Sequence, residues 1–592
     1  MTRPNVQPPG TMRLADSGRR LQIIVLVIAF LLSLFAGRLL QLQGVNASAY
    51  AAQAEEERRR IVTLPASRGD ITDVDGVALA TTVEARDVTA DPSLVTDPAA
   101  TAAALARLLG GKAAALEAKL RSDGRYVLLA RQVSPERARA VLALDVDPDQ
   151  EGQQLPGIFA IRAHKRVYPS GDLAGSIVGF VGRDGHGLAG MELAAEDRLA
   201  GRDGRATYET ALGRRLPSGA TDAEQPVPGA DVRLTIDRDV QWMAQRTIAT
   251  KVTEVAAESG TVVVMEVDTG RLLALATAPA VDPRRPGDSP AADRGNRSLS
   301  EVYEPGSTGK AITAAAVIEE GAAGPRTKFT VPPQLYRGGN EFNDHSPHGT
   351  LKMTLAGVLA QSSNLGTILA TERLGKRRDE VLHHYLQAFG VGQPTGLDFP
   401  GASTGLLPAL ADWSATTSYT LPFGQGYSVN TVQMASAYAI LAAGGVRVQP
   451  SVVAGWVAPD GSYTPAPAPQ RRRVVSESTA DQVSRMLEMV VGEGGTAPNA
   501  AIPGYRVAGK TGTANRVDPQ TGGYRGYTAS FIGYAPADDP AYVVAVTLQD
   551  PTRGYYGGQL AGPVFKEVLS FVLASERVPP TGTRPPAMRL EW

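Results

Sequence analysis

The chain has 592 residues, of which 43% are hydrophobic and 20% are charged, so it is long enough for several packed domains and too apolar to be disordered throughout. Its 59 Lys and Arg residues nearly balance its 60 Asp and Glu residues, which leaves no broad basic surface for a nucleic acid and argues against that class of partner. The chain has no cysteine, which excludes disulfides, thiolate zinc sites, iron–sulfur clusters and a cysteine nucleophile.

An uncharged apolar segment lies near the start of the chain. Residues 21–37 contain only Gln22 and Ser33 as polar side chains, and as a helix they span roughly 26 Å, close to the ~30 Å bilayer core. We predict an uncleaved transmembrane anchor over 21–42, because a cleaved signal peptide has a shorter apolar region and a buried core helix seldom has so unbroken a run. Arginines precede the segment, so the positive-inside rule predicts a cytoplasmic tail over 1–20 and a large domain outside the membrane.

In the rest of the chain, the predicted order of helices and strands changes near residues 228–236. Before this point, short strand-like runs alternate with alanine-rich helical runs, which predicts an α+β region. After it, strands are followed by helices and then by strands again, which predicts one sheet sandwiched by helices. The predicted strands are 260–265, 272–277, 527–534 and 542–548, and the predicted helices are 308–320, 351–361, 378–389 and 562–573.

One of the ten lysines has a serine three residues before it, namely Lys310 after Ser307. If Pro305 and Gly306 start a helix, the two side chains lie on one face, and the amine can act as a base on the serine hydroxyl. Taken alone, this Ser-x-x-Lys motif is weak, because a serine near a helix start followed by a solvated lysine gives the same pattern.

Two further motifs follow in the chain. Ser362 and Asn364 form a Ser-x-Asn motif after a helical run, although Ser428 begins a second match. Lys510 begins the chain's one Lys-Thr-Gly, after a strand-like run. In this order, the three motifs are the signature of the penicillin-binding and serine β-lactamase superfamily.

Over almost its whole length, the chain resembles the class B penicillin-binding proteins of the division type, the FtsI-like proteins. The run 68–76 (RGDITDVDG) resembles the first box of their pedestal domain, and 166–169 (RVYP) and 187–192 (GLAGME) resemble later boxes. The run 424–428 (GQGYS) resembles a different element of their transpeptidase domain, which supports Ser362 over Ser428 as the motif serine.

This resemblance implies an α+β fold in successive parts. A single transmembrane helix precedes an elongated α+β pedestal (dimerisation-like) domain over 43–235. A transpeptidase domain with an antiparallel sheet sandwiched by helices occupies 236–578, and a C-terminal tail covers 579–592. β-Lactamases lack the pedestal domain, so its boxes argue against a β-lactamase.

The resemblance also implies a chemistry, which is two-step acyl transfer at the D-Ala-D-Ala end of a peptidoglycan stem peptide. Ser307 is the expected nucleophile and Lys310 its base, while Ser362, Asn364 and Lys510 assist departure of the terminal D-Ala. Backbone N–H groups of Ser307 and Thr513 are expected to form the oxyanion hole. The remaining expected substrate-binding residues are Thr511, Gly512 and Thr513.

The family needs no metal or cofactor, and we predict none here. His345 and His348 are better interpreted as part of a polar loop than as metal ligands, because a proline separates them and no third ligand is identifiable.

Two departures from relatives stand close to the reacting groups. Gly309 stands where relatives commonly carry Phe, a swap that loosens the first helical turn, and Ser363 replaces the Asp of Ser-Asp-Asn.

The leading hypothesis is a septal peptidoglycan transpeptidase of the bacterial cytoplasmic membrane, inhibited by β-lactams. No glycosyltransferase domain is evident, so the resemblance implies partnership with a SEDS-family glycosyltransferase and other divisome membrane proteins. An elongation-type class B protein, a β-lactam sensor and a catalytically silent divisome scaffold are the alternatives. A sensor would carry more membrane helices, and the intact motif set argues against a silent scaffold.

Overall fold

The computed structural model describes residues 17–46, 48, 59–144, 155–211, 214–215, 222–518 and 521–592. Residues 1–16 of the predicted cytoplasmic tail and several stretches of the predicted pedestal, among them 49–58 and 145–154, therefore lie outside the described residues. The chain divides into two compact units, one comprising Met1–Pro65 and Asp203–Pro226, the other Ala66–Arg202 and Val227–Trp592. The domain boundaries given above stay predictions.

The α-helices of the described residues, in chain order, are α1 (Ser17–Leu40), α2 (Pro98–Leu109), α3 (Ala113–Leu120), α4 (Pro135–Leu142), α5 (Gly175–Val178), α6 (Gly190–Ala194), α7 (Glu196–Leu199), α8 (Arg238–Val255), α9 (Arg297–Ser300), α10 (Lys310–Glu319), α11 (Leu355–Ala360), α12 (Asn364–Glu372), α13 (Arg378–Ala388), α14 (Thr417–Thr420), α15 (Thr431–Ala442), α16 (Glu477–Val491) and α17 (Gly557–Ser575).

The strands of the described residues are β1 (Arg59–Leu64), β2 (Ile71–Thr72), β3 (Ala78–Ala90), β4 (Val127–Val133), β5 (Ile158–Val167), β6 (Gly204–Ala211), β7 (Arg214–Arg215), β8 (Asp222–Glu224), β9 (Asp231–Leu234), β10 (Ser259–Glu266), β11 (Leu272–Ala278), β12 (Lys328–Val331), β13 (Leu335–Arg337), β14 (Asn340–Phe342), β15 (Leu351–Thr354), β16 (Val446–Val448), β17 (Val453–Val457), β18 (Tyr463–Pro465), β19 (Arg471–Arg473), β20 (Ala508–Val517), β21 (Tyr524–Ala535) and β22 (Tyr542–Gln549).

The first unit contains the apolar helix and a small sheet. Within the described residues, one helical segment, Gly18–Gly44, is long and apolar enough to cross a membrane, with a mean hydropathy of 2.7. Its apolar side chains are exposed, as expected of a helix whose surroundings are lipid. This agrees with the predicted anchor in length and composition. The small sheet pairs β1, β7 and β8 with β6.

In the second unit, a seven-stranded sheet runs in the order β18-β17-β9-β2-β3-β4, with β5 pairing β3. Strand β9 lies at the predicted boundary near 228–236, and it pairs with β2 on one side and with β17 on the other. Helices α2, α3 and α4 add apolar side chains to a separate small core beside β3, β4 and β5. That core includes Val88, Leu105, Leu120, Leu129 and Val141.

A five-stranded antiparallel sheet forms the centre of the second unit, in the order β11-β10-β22-β21-β20. Both faces of this sheet are covered. Successive side chains of β10 point to opposite faces and pack in two different hydrophobic cores. Val262 and Val264 pack in the core with α8 and α17, whereas Val263 and Met265 pack in the core with α10 and α15. A strand buried on both faces has a continuous apolar sequence, which explains the run GTVVVM. The predicted sheet sandwiched by helices is confirmed.

Helix α10 lies inside the core that also contains Val263 and Met265. Its residues from Lys310 to Ile318 are all buried, and its alanine-rich sequence is apolar on every side, as expected of a central helix. The predicted helix over 351–361 is wrong for its first four residues. They form β15, which pairs with β12, and the helix begins only after Thr354, whose hydroxyl accepts the Gly357 N–H at 3.1 Å.

The last residues of the chain pack against β15 and do not form a free tail. The Leu590 carbonyl accepts the Thr354 N–H at 2.9 Å. The Trp592 ring faces the Lys328 and Lys352 ammonium groups at 4.7 and 5.1 Å, a favourable cation–π arrangement. The C-terminal residues therefore stabilise the strand that leads into α11.

Candidate active site

A cleft of about 860 Å³ contains five of the residues that the sequence motifs single out. Ser307, Ser362, Asn364, Thr511 and Thr513 all line it. Residues separated by up to about two hundred and six positions therefore share one cavity. Lys310, Lys510 and Gly512 lie behind this lining, and both lysines are almost completely buried.

Ser307 lies at the start of the central helix, as its motif predicts. A single 3₁₀ turn, Gly306–Gly309, precedes α10, and Ser307 is half-buried at the cleft surface. Gly306 has φ +54°, a left-handed conformation that favours glycine. The Ser307 hydroxyl makes no hydrogen bond to any described residue, so it is free for a ligand.

Lys310 directs its ammonium group toward the Ser-x-Asn motif. Its Nζ donates to the Ser362 carbonyl at 2.5 Å, to the Ser362 hydroxyl at 3.3 Å and to Asn364 Oδ1 at 2.7 Å. The spacing of the first motif predicted proximity to Ser307, but the lysine contacts seen in the structure are with the second motif. Lys310 thus connects the helix that begins beside Ser307 to the turn that carries Ser362.

The proton affinity of Lys310 is reduced by its surroundings. Burial lowers the pKa of Lys310 to about 7, and the negative charge of Asp344 acts in the opposite direction. Removal from water penalises the ammonium form. A substantial fraction of this amine is therefore neutral near pH 7 and able to accept a proton.

The Ser-x-Asn motif forms a tight turn between α11 and α12. Ser362 has φ +63°, a conformation that is uncommon for a residue with a side chain and that clusters at functional sites. The next residue, Ser363, caps α12 by accepting the Gly366 N–H at 2.8 Å. These local interactions direct the Ser362 carbonyl and Asn364 side chain toward Lys310.

The Lys-Thr-Gly motif lies on β20, at the edge of the five-stranded sheet. Lys510 is fully buried and donates to the Thr511 hydroxyl at 3.3 Å. Burial lowers the pKa of Lys510 well below its usual value, and repulsion from Lys310 adds to the effect. Thr513 accepts the Gly557 N–H at 3.1 Å. The strand thus presents two hydroxyls to the cleft above a buried amine.

Gly512 allows β20 to approach the segment that carries Ser307. A Cβ at this position would lie 2.3 Å from the Ser530 hydroxyl and 3.0 Å from both the Pro305 carbonyl and the Thr308 side chain. Any larger residue would push the strand away from the start of the central helix.

The sequence motifs did not predict the contacts of several polar residues that line the cleft. His345 Nε2 lies 3.0 Å from the Tyr556 hydroxyl, and His348 Nε2 lies 3.0 Å from Asp344. The two histidines thus have separate partners, and among the described residues no group of three or more His, Asp or Glu side chains has the arrangement of a metal site. Asp344 also contacts the Ser-x-Asn turn, but its sequence neighbours contain no motif that would have signalled this.

Gly309 leaves room for Tyr427. A Cβ at position 309 would lie 2.3 Å from the Tyr427 hydroxyl and 3.5 Å from the ring carbon that bears it. That hydroxyl oxygen is buried and has no hydrogen-bond partner among the described residues. The tyrosine side chain therefore occupies the space beside the glycine, while the expected loosening of the first turn stays a prediction.

We expect Gly309→Ala to destabilise the protein by about 1–3 kcal/mol, because it overpacks a buried contact. Tyr427→Phe removes the clashing oxygen and an unpaired buried polar group, so the double variant should regain most of the lost stability. Thermal unfolding of the single and double variants measures this. Gly287→Ala is the matched control, because a Cβ there meets nothing within 4 Å. A Gly309→Ala protein as stable as the wild type would show that the contact is not restrictive.

The site as a whole is that of a serine acyl transferase, since a serine hydroxyl and two threonine hydroxyls line one cleft and a buried amine of lowered pKa lies behind its lining. The sequence model of the "Penicillin binding protein transpeptidase domain" matches residues 260–570. The model of the "Penicillin-binding Protein dimerisation domain" matches residues 63–234.

Individual proteins are similar over nearly the whole chain. Penicillin-binding protein PbpB of Mycobacterium tuberculosis is 36% identical, over 98% of this chain and 90% of that protein. Peptidoglycan D,D-transpeptidase FtsI of Escherichia coli is 32% identical, over 94% of this chain and 91% of that protein. A crystal structure of penicillin-binding protein 3 from M. tuberculosis complexed with aztreonam has 32% identity and a TM-score of 0.69, and it covers 90% of this chain and 100% of that one. The chain belongs to the penicillin-binding proteins and is a class B member of the division type.

Proposed function

We propose that this protein is a septal peptidoglycan D,D-transpeptidase that cross-links stem peptides through an acyl-enzyme on Ser307 and is inhibited by β-lactams. One observation supports it most. Lys310 follows Ser307 by three residues in the chain, and it is buried with a pKa of about 7. Its side-chain nitrogen contacts the Ser-x-Asn turn. The Ser307 hydroxyl, which has no hydrogen-bond partner among the described residues, lines the same cleft as that turn. Similarity to proteins named D,D-transpeptidase, including FtsI, supports the reaction class.

In the first step, neutral Lys310 accepts the Ser307 proton while the serine oxygen attacks the penultimate D-Ala carbonyl of a stem peptide. The carbonyl oxygen gains negative charge, and backbone N–H groups of Ser307 and Thr513 stabilise it. The C–N bond then breaks. The terminal D-Ala leaves as an amine after receiving a proton through Ser362, and an ester on Ser307 remains.

The terminal carboxylate of the donor peptide needs polar partners before this step. Thr511 and Thr513 present hydroxyls to the cleft, and the buried Lys510 donates to the Thr511 hydroxyl. A bound carboxylate would favour the charged form of Lys510 and so offset the effect of its burial. Carboxylate binding and lysine protonation are thereby coupled.

In the second step, an amine from a neighbouring stem peptide attacks the Ser307 ester. The new amide bond is the cross-link, and Ser307 regains its proton. A β-lactam acylates the same oxygen when its ring amide opens, but its nitrogen stays attached to the acyl group. The ring nitrogen therefore cannot diffuse away, and the adduct is long-lived.

The proposed setting is the bacterial cytoplasmic membrane at the division septum. The apolar helix Gly18–Gly44 would anchor the protein once, with its N-terminus in the cytoplasm and its catalytic domain outside. The resemblance to FtsI-like proteins implies that a SEDS-family glycosyltransferase, working with this protein and other divisome membrane proteins, supplies the glycan strands.

Release of D-alanine from a pentapeptide stem donor, with and without an amine acceptor, tests the activity. The wild-type protein should release D-alanine and form a donor–acceptor amide, and Ser307→Ala should do neither. A folded wild-type protein that forms neither product and is not acylated by benzylpenicillin would instead support a silent scaffold.

Depletion of the protein in its native bacterium tests the septal role. Cells that elongate without dividing, with a fluorescent fusion located at the septum, would support division. Rounded cells with the fusion along the side wall would overturn the septal assignment in favour of an elongation-type transpeptidase.

A further inference from the structure

Asp344 lies in the loop between β14 and β15 and directs its carboxylate at the start of α12. Its Oδ1 accepts the N–H groups of Asn364 and Leu365, the latter at 3.0 Å. Its Oδ2 accepts the Ser363 hydroxyl at 2.6 Å and lies 3.0 Å from His348 Nε2. The side chain is only 9% exposed. The carboxylate therefore satisfies two of the unpaired donors at the start of a nine-residue helix, at the point where the Ser-x-Asn turn ends.

The same loop also contacts the catalytic side of the turn. Asn364 Nδ2 donates to the Asn343 carbonyl at 3.2 Å, while Asn364 Oδ1 accepts from Lys310 at 2.7 Å. The backbone of Asn364 is thus bound by Asp344, and its side chain bridges Asn343 and Lys310. Ser362, two residues earlier, is in a left-handed conformation that persists only when its surroundings restrain it.

The charge of Asp344 also acts on Lys310. Burial lowers the pKa of Lys310, and Asp344 is the group that raises it. His348 is a second titratable group in contact with Asp344. Lys510 interacts electrostatically with Lys310, and its charged form is disfavoured by burial and by Lys310. Tyr427 and Tyr438 pack at the start of α10, and burial raises the pKa of both hydroxyls, so they are uncharged near pH 7.

We propose that Asp344 is a positioning residue for acyl transfer, which restrains the Ser362–Asn364 turn against Lys310 and supplies the negative charge that balances the lysine. This inference rests on the proposed function, because it concerns the same reaction. Asp344 itself touches neither the nucleophile nor the leaving group in this role. Its effect is on the geometry of the turn and on the protonation of the base.

The test is the rate of acylation by benzylpenicillin from pH 5 to pH 9 for the wild type, Asp344→Asn and Asp344→Glu. Asparagine keeps one oxygen for the two N–H groups but loses the charge and the acceptor for Ser363. We expect the plateau rate of Asp344→Asn to fall about tenfold or more, and the midpoint of its acidic limb to move down by about half a pH unit or more. Without the carboxylate, the ammonium form of Lys310 is less favoured, so the base is neutral at lower pH.

Glutamate keeps the charge but displaces the carboxylate by one methylene. Asp344→Glu should therefore have a midpoint near that of the wild type but a lower plateau rate. Comparison with Asp344→Asn then distinguishes the effect of the charge from the effect of the geometry. The matched control is Asp237→Asn, because Asp237 accepts the Asp239 and Val240 N–H groups at the start of α8 by the same kind of contact, at 2.9 and 2.8 Å. It should leave both midpoint and plateau unchanged.

A merely structural role would lower the thermal stability and active fraction of Asp344→Asn without moving the midpoint, and that result would overturn the inference. If Asp344→Asn does not fold, the test rests on Asp344→Glu. An unchanged plateau rate of acylation in Asp344→Glu would then also overturn the inference. Failure of the wild type to be acylated at any pH would contradict the proposed function instead, so the two failures are distinguishable.

Discussion

We expect Ser307→Ala to abolish the covalent adduct that benzylpenicillin forms with the wild-type protein. The adduct is an ester of the serine oxygen, and alanine has no oxygen to form it. The half-buried hydroxyl of Ser307 lies in the cleft, at the start of the central helix. Intact-mass spectrometry should show one added β-lactam on the wild type and none on the variant, an effect larger than that of any other single substitution.

The control is Ser346→Ala, which removes another hydroxyl that lines the same cleft. Ser346 has no place in the proposed reaction, so this variant should acylate like the wild type. An adduct that persists in Ser307→Ala would mean that another side chain is the nucleophile. Peptide mapping of that adduct would then identify it.

Acylation should depend on the neutral form of Lys310. Because the pKa of Lys310 is lowered to about 7, the amine is protonated and unable to accept the Ser307 proton below that pH. The acylation rate should therefore fall about tenfold for each pH unit on the acidic side and level off above the midpoint. Lys310→Gln should lower the rate by about 10²- to 10⁴-fold at the plateau, which is the usual effect of losing a general base.

Lys310→Arg separates charge from basicity in this prediction. Arginine keeps a positive charge but stays protonated at any working pH, so the variant should be as slow as Lys310→Gln. Lys376→Gln, which changes an exposed lysine, should have no effect. A rate that is independent of pH between 5 and 9 in the wild type would argue that another group takes the serine proton.

The site was predictable to the extent that it depends on short motifs. The spacing of Ser307 and Lys310 indicated neighbours on one helical face, and the order of the three motifs indicated the reaction. The contacts of Lys310 were not predictable, because its partners Ser362 and Asn364 follow it by 52 and 54 positions. Nothing in the sequence around Asp344 distinguished it from an ordinary loop residue.

The fold was predictable where burial leaves a pattern along the chain. The continuous apolar run of β10 indicated a strand covered on both faces, and the alanine-rich run of α10 indicated a central helix. The segment 351–354 was mispredicted as helix, because its strand conformation depends on pairing with β12 and its own sequence is equally suited to either state. The packing of Leu590 against Thr354 likewise depends on a strand more than two hundred positions earlier.

The apolar helix and the sandwiched sheet were evident from the sequence, because each leaves a local pattern of hydrophobicity, and the spacing of the motifs indicated the candidate reacting side chains. Which of these side chains lie in contact depends on the tertiary structure. It placed Asp344 at the start of α12, Tyr427 beside Gly309 and the Ser362 turn against Lys310. These contacts join elements distant in the chain, and burial in a closely packed interior sets both their geometry and the proton affinity of Lys310.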